Sequence, residues 1–407
     1  MRERALRAIA ECRRIADLSE EPGRITRRFL TPPMHEVHAL LSGRMKALDM
    51  NPSVDAAGNL RGLWQPAEAG NRRLMLGSHI DTVPDAGAFD GVLGVVLALE
   101  WVELARELNL PLAIEVIAFS EEEGVRFGVP FLGSRAVAGR FDPALLALRD
   151  ADGVTLEEAI RAFGLDPGRI SEAAADAGVL DMVEIHIEQG PVLEVEELSV
   201  AAVTAIVGQT RASLKFTGQA NHPGTTPMRL RHDALACAAE WITGVEALAL
   251  RSEGLSATVG RVDVTPNAGN VIPGTVSVSL DVRHSSDSAR AEAVETLLAQ
   301  ADAIAARRGL RFDCVRQMDQ PAVPMDERLT AFMAEAIEAA GLPLKRMASG
   351  AGHDAMVMAA RMPTAMLFLR SSGGISHHPG EAVREEDVES ALKVGRKFLE
   401  RLAAEAR

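Results

Sequence analysis

Histidines and carboxylates recur in this chain where apolar runs give way to polar ones, and such positions can do chemistry. His79 and Asp81 stand in GSHIDT after the apolar LML, and Asp90 follows in FDG. Neutral imidazole and ionised carboxylate both suit Zn²⁺ or Mn²⁺, so this loop could be half of a metal site. Read alone, a histidine at a strand end is more often a hydrogen-bonded polar residue. Glu121, Glu122 and Glu123 follow a second apolar run, EVIAFS. Consecutive acids can be a solvated helix start. They can also divide the two jobs of metal-assisted hydrolysis, one binding the cation and its neighbour taking a proton from water. In VEIHIEQG, alternation places Glu184, His186 and Glu188 on one strand face, and a buried charged face needs a partner. His377 lies in GISHHPGE. His79, Asp90, a glutamate pair, His186 and His377, all at strand ends of one domain, point together to metal. Five ligands with one shared carboxylate suffice for two ions roughly 3.5–4 Å apart.

The elements that must position these residues are legible as texture. From Met1 to about Val203, short apolar runs alternate with amphipathic stretches, as in strands and crossover helices of an α/β layer. LMLGSHIDTV and AIEVIAFSEEEG read as buried strands running into polar loops, and GVLGVVLALEWVELARELN between them reads as a helix. That is a βαβ unit, and in open α/β sheets the chemistry collects where strands end. Near Ala205 the texture changes to SLKFTGQ, a helix in HDALACAAEWITGVEALA, ATVGRVDV, VSVSLDVRH, a helix around ARAEAVETLLAQADAIAARRG, and LRFDCVR. Strand, helix, strand, strand, helix, strand is the split βαβ order of a ferredoxin-like module. The expected division is therefore residues 1–205 with 318–407 as one domain and 206–317 as an insertion. RMPTAMLFLR reads as another buried strand, and AGNRRL and ISEAAADAG read as surface loops.

A chain of 407 residues is long enough for two domains at about 150 residues each. Hydrophobic residues at 47% and charged residues at 25% are an ordinary globular balance. The net charge of −14 argues against a nucleic-acid partner, which needs surplus Lys and Arg on some face. MRERALRAIAECRRIADLSE lacks the apolar stretch of a secretory signal, and no run reaches the ~18 apolar residues of a membrane span. Cys12, Cys237 and Cys314 fit neither a disulfide framework nor a CxxC site. A cytoplasmic protein without a membrane partner is expected.

The motifs GSHIDTVPDAGAFDGVLGV, SEEEGVRFG, EIHIEQGPVLE, GQANHPGTTPM, NVIPG, LDVRH, SGAGHDA and GISHHPGE resemble, in order and over nearly the whole chain, a known family. It is the dinuclear-metal amidohydrolases that include N-carbamoyl-L-amino acid hydrolases and allantoate amidohydrolases. Their wider clan includes aminoacylases and carboxypeptidases. The resemblance implies a metallopeptidase-like α/β catalytic domain with an inserted lid and dimerisation domain, and two divalent cations per subunit, Zn²⁺ or Mn²⁺ with Co²⁺ acceptable. It implies His79, Asp90, Glu123, His186 and His377 as ligands, Asp90 bridging, with Asp81 orienting the His79 ring. His378 is then a neighbour. Counting back from Gly124 makes Glu122 the base and Glu123 the ligand, with Glu121 where the family often has Asn. Glu122 would take the proton of the attacking water, acidified by the two cations towards a pKa of about 7, and pass it to the leaving nitrogen.

At the substrate end the resemblance implies that His222 donates to the oxyanion, from the partner subunit of a homodimer. The bare sequence NHPG also reads as a turn. Arg211, Asn270 and Arg283 match positions that hold the substrate carboxylate and its neighbours, with Gln189 and Gly352 near a ureido group. An arginine fork suits a carboxylate, although surface strand charge is the usual fate of Arg. His353 and Asp354 read as a loop-bracing pair or as direct participants. Hinges are expected near Ala205 and Gln317, with lid closure completing the site. The implied reaction is hydrolysis of the carbamoyl C–N bond of a small ureido acid, with release of ammonia and CO2. The competing readings are an aminoacylase or dipeptidase of the same clan, and a catalytically inactive binding protein.

Overall fold

The computed structural model describes residues 1–69 and 73–405. It separates into two compact units, Met1–Thr204 with Met325–Arg407, and Ala205–Pro324. In chain order the first unit begins with strands β1 (Asn51–Val54), β2 (Leu60–Trp64), β3 (Arg73–His79), β4 (Ala113–Phe119), β5 (Val179–Ile187) and β6 (Val200–Ile206), the last two residues of β6 already belonging to the second unit. The second unit contributes β7 (Gly208–Thr217), β8 (Ser256–Thr258), β9 (Val262–Thr265), β10 (Thr275–His284) and β11 (Arg311–Gln320). The chain returns through β12 (Val323–Pro324), β13 (Arg346–Ser349) and β14 (Thr364–Leu369).

The main sheet has the order β1-β2-β4-β3-β5-β14-β6-β12, and β13 also pairs with β6. Its centre, β4, β3, β5 and β14, is parallel throughout. Every residue of β4 and of β14 is buried, as expected of parallel strands covered on both faces. The helix Val92–Glu107 links β3 to its parallel neighbour β4 and is buried along most of its length, its acids Glu100 and Glu103 being paired with Arg4, Arg7 and Arg44, so it is an interior helix. It packs closely: a Cβ on Gly94 would lie 1.9 Å from the Ile185 carbonyl oxygen of β5. The four parallel strands thus end side by side, and His79, Glu121–Glu123, His186 and the loop to His377 lie at or beyond those ends.

The second unit is an antiparallel sheet in the order β11-β7-β10-β8, with β9 also on β10. With helices Ala234–Arg251 and Asp287–Arg307 this is the ferredoxin-like order the sequence predicts. Alternation decides its faces: Ala212, Leu214, Phe216, Val276, Val278, Leu280 and Val282 are buried with Trp241 in one core.

Several expectations are corrected. ATVGRVDV forms two short strands, β8 and β9, rather than one. The inserted unit extends beyond residue 317, because β11 stays paired with β7 to Gln320 and the compact unit ends at Pro324. Of AGNRRL, Arg73 and Leu74 already belong to β3, and residues 70–72 lie outside the described residues. ISEAAADAG is partly interior: Ile170, Ala173 and Ala175 are buried, the first two within the 3-10 helix Pro167–Ala173.

Candidate metal centre

His79 closes β3, and its Nδ1 lies 3.0 Å from the Asp81 carbonyl oxygen. His186, near the end of β5, places Nδ1 2.8 Å from the Ile187 carbonyl oxygen. A carbonyl only accepts, so each Nδ1 carries the proton and each Nε2 presents a lone pair. Those two Nε2 atoms are 3.3 Å apart. They lie 3.7 Å (His79) and 3.1 Å (His186) from Oδ1 of Asp90, a buried oxygen without a hydrogen-bond partner. Two lone pairs and a carboxylate oxygen at this spacing repel unless a cation or a proton lies among them. On the other side of Asp90, Oδ2 is 3.2 Å from His377 Nε2, which is 3.5 Å from Glu123 Oε1. Ligand atoms of His79, Asp90 and His186 lie within 4.8 Å of one another, as do those of Asp90, Glu123 and His377. The two groups share only Asp90. This donor set fits two adjacent divalent cations with Asp90 between them.

Electrostatics agree. Burial pushes Glu123 up to about 7, with His79 and His377 opposing and Asp90 and Asp81 reinforcing. Burial also pushes Glu122 well above the carboxylate range, His79 opposing and Glu123 and Asp354 reinforcing. Burial pulls the His79 imidazole down, yet Glu122, Asp90 and Asp81 together hold it well above its usual value. The cluster is crowded with carboxylates and short of positive charge, which divalent cations supply.

Asp81 does not orient the His79 ring through its carboxylate. Its Oδ1 is 3.8 Å from Nδ1, whereas the Asp81 backbone carbonyl is in hydrogen-bond contact. The carboxylate instead accepts the amide N–H groups of Glu122 at 3.1 Å and Glu123 at 3.0 Å, so it shapes the glutamate turn. Glu121 is no solvated acid: it is buried, its Oε1 accepts the amides of Arg126 and Phe127, and burial and Asp81 push it up to about 8. Three residues here hold left-handed backbone, Glu121 (φ 50°), Gln189 (φ 60°) and His377 (φ 55°). Gly91 does so too, and a Cβ there would sit 2.5 Å from the His79 ring.

Gln189 Nε2 donates to Asp90 Oδ2 at 2.8 Å, and its buried Oε1 has no hydrogen-bond partner. Glu184 is satisfied by Ser78 and by the Ala355 amide, and Glu188 accepts the amides of Val192 and Leu193. His353 occupies the N-cap of the helix Asp354–Met358 without capping it; its Nε2 meets Ser349 Oγ at 2.8 Å and its ring lies edge-on to His186 at 4.4 Å. Gly352 precedes it, where a Cβ would meet Phe131 at 2.9 Å. His378 is exposed, and its Nδ1 accepts the Gly380 amide.

The remaining candidates lie in the second unit. His222 is an exposed turn residue whose Nδ1 accepts the amides of Gly224 and Thr225, so Nε2 carries the proton. Asn270 is exposed on the loop between β9 and β10. Arg211 and Arg283 share one counter-ion, Asp281, at 3.0 and 2.9 Å, and line a 440 Å³ pocket with it. Ser376 and Glu381, which nothing in the sequence pattern singles out, stand in GISHHPGE with His377.

A family model described as peptidase family M20/M25/M40 matches residues 75–401. The chain belongs to this family. Within it, the chain is similar to the N-carbamoyl-L-amino acid amidohydrolase of Geobacillus stearothermophilus, 37% identical and covering 92% of each chain. It is similar to the allantoate amidohydrolase of Escherichia coli, 35% identical over 95% of this chain and 94% of that one. A solved amidase of the hydantoinase/carbamoylase family from Burkholderia multivorans matches with a TM-score of 0.91 at 32% identity, covering 98% of this chain and 97% of that one. Family membership accords with the expected α/β metallopeptidase-like fold. Among the described residues no helix is long and apolar enough to cross a membrane.

Proposed function

We propose that this chain is an amidohydrolase that cleaves the carbamoyl (ureido) C–N bond of a small carboxylate substrate, an N-carbamoyl-L-amino acid or allantoate, releasing ammonia and CO2. The observation that carries the reading is the pair of ligand groups sharing Asp90 beside the buried Glu122, whose ligand atoms also lie within 4.8 Å of His79 and Glu123, in a chain whose full-length relatives bear those names.

Two divalent cations held by His79, Asp90, Glu123, His186 and His377 would supply Lewis acidity and acidify water; Zn²⁺, Mn²⁺ and Co²⁺ all suit the donors. Glu122 holds the moving proton. Its turn is fixed by Asp81, and burial raises its proton affinity above that of an ordinary carboxylate, which suits transfer near neutral pH. It accepts the proton of the attacking water and returns it to the leaving nitrogen. Gln189 offers its free Oε1 to a ureido N–H, and the exposed Gly352 takes a place near the same group. His222, its Nε2–H fixed by the turn, donates to the oxyanion from the second copy of a homodimer. Arg283, Arg211 and Asn270 take the substrate carboxylate, and the inserted unit acts as a lid. The protein works in the cytoplasm.

The test is ammonia release by Mn²⁺-reconstituted protein from N-carbamoyl-L-amino acids, allantoate and matched N-acetyl-amino acids. Ammonia from either ureido class is expected and names the branch. Acetate without ammonia would move the chain to the aminoacylases, and silence throughout would remove the enzymatic reading.

A further inference from the structure

Asp90 and His377 come from loops far apart in the sequence, and something must hold those loops together at the spacing two cations require. Glu381 touches both. It is 6% exposed, and its Oε1 accepts the amide N–H groups of Phe89 at 2.8 Å and Asp90 at 3.0 Å. Its Oε2 lies 3.2 Å from the Ser376 hydroxyl, which is 2.8 Å from Asp90 Oδ2. The Asp90 carboxylate therefore receives Ser376 and Gln189 on Oδ2, which fixes its rotation and leaves Oδ1 facing the imidazoles of His79 and His186. The approach is tight by construction of the backbone: a Cβ on Gly87 would lie 2.3 Å from Glu381 Cβ and 2.4 Å from its Oε1. Among the described contacts of Glu381, none is to a cation; they are two amides and one hydroxyl.

We infer that Glu381, with Ser376, is a positioning residue that clamps the Asp90 loop onto the His377 loop and so sets the metal affinity of the centre. The inference rests on the reading of Asp90 and His377 as ligands. Groups that orient a ligand from behind typically govern affinity by 10–100-fold without touching the ion. What Glu381 contributes here is acceptor geometry. A glutamine at 381 can accept both amides through its carbonyl and donate to Ser376 through its amide, leaving the serine proton to Asp90.

Mn²⁺ binding to the chelator-stripped full-length protein, followed by calorimetry, tests this, with the melting temperature of each stripped variant as a second readout. Glu381→Ala is expected to weaken Mn²⁺ binding by roughly 10–100-fold, and Ser376→Ala by about tenfold. Glu381→Gln is expected to stay within about threefold of the parent, because its contacts survive. Unchanged affinity in Glu381→Ala with a lowered melting temperature would make the residue a fold brace and overturn the inference. Equal losses in Glu381→Gln and Glu381→Ala would overturn it too, since charge and not acceptor geometry would then be at work. If Glu381→Ala does not fold, Ser376→Ala carries the test, and unchanged affinity there overturns the clamp. A parent protein that binds no Mn²⁺ would remove the metal reading itself, a failure visible without any variant.

Discussion

Glu122 and Glu123 are adjacent in the chain and turned to different work. Glu123 faces His377, while Glu122 is buried among His79, Glu123, Asp354 and Asp81, and its amide is held by Asp81. Glu122→Gln keeps size and shape and removes only the proton acceptor, so kcat is expected to fall by roughly 10²–10⁴-fold with metal content unchanged. Metal analysis beside steady-state kinetics checks it, and near-normal turnover would move the base elsewhere. A pH dependence follows from the same crowding. In stripped protein, burial places Glu123 at about 7 and Glu121 at about 8, both above the unfolded 4.5. The native state therefore binds more protons than the unfolded state in that interval, and the stability from these groups is present below the unfolded value and lost as pH rises through 7 and 8. Stripped protein is expected to melt at falling temperature from about pH 5 to about pH 8, and a flat profile would contradict the assignment. Cations that replace those protons make the fall smaller in loaded protein. The histidines and acids of this cluster were legible in the sequence because each stands at a strand end or in the polar loop that follows one, a local property. The work of Asp81 was not, because it turns on which of its oxygens lies 3.0 or 3.8 Å from a ring nitrogen. Nor was that of Ser376 and Glu381, whose partners are near only after folding.

At the scale of elements, the positions of His79, Asp90 and His186 are governed by how closely the helix Val92–Glu107 lies on the sheet. Gly94 makes that approach possible, between the Ile185 carbonyl and Ser78 Cβ. Gly94→Ala is expected to cost about 1–3 kcal/mol or more, read from the denaturant midpoint, because the helix must lift from two packed strands. Mn²⁺ affinity should fall with it, since the loop bearing Asp90 runs straight into that helix. A midpoint equal to the parent's would show that the helix does not depend on this contact. The βαβ unit and the ferredoxin-like order were readable from period and length alone. The split of ATVGRVDV was not, because it is set by pairing along β10 rather than by the segment's own pattern.

For the whole molecule, the instructive fact is where the chain leaves one unit and returns. Thr204 and Met325 are joined by a backbone hydrogen bond of 3.0 Å, so the first unit would close over a short linker if the insertion were removed. The second unit is likewise closed at its ends, with Ile206 paired to Val323. Arg290 there ties Thr210, Asp287 and Asp319 together, and a separate core surrounds Trp241. Residues 205–324 expressed alone are expected to melt cooperatively. The complementary deletion, with Thr204 linked to Met325, is expected to bind Mn²⁺ with no turnover, because His222, Arg211, Asn270 and Arg283 are gone. Circular dichroism and calorimetry read the two outcomes; residual turnover in the deletion would exclude those four residues from the reaction. The two-part organisation was legible from the change in texture near Ala205, while the return point was displaced because β11 continues past the residues whose pattern announces it.

The left-handed backbone at Glu121, Gln189 and His377 has a bearing on how this chain could change over time. Each such residue costs roughly 1–2 kcal/mol relative to one free to adopt that conformation, and glycine or asparagine would remove most of that cost. Selection for heat resistance alone would thus draw these three positions towards glycine, and with each gain in endurance the protein would surrender part of what it is built to do.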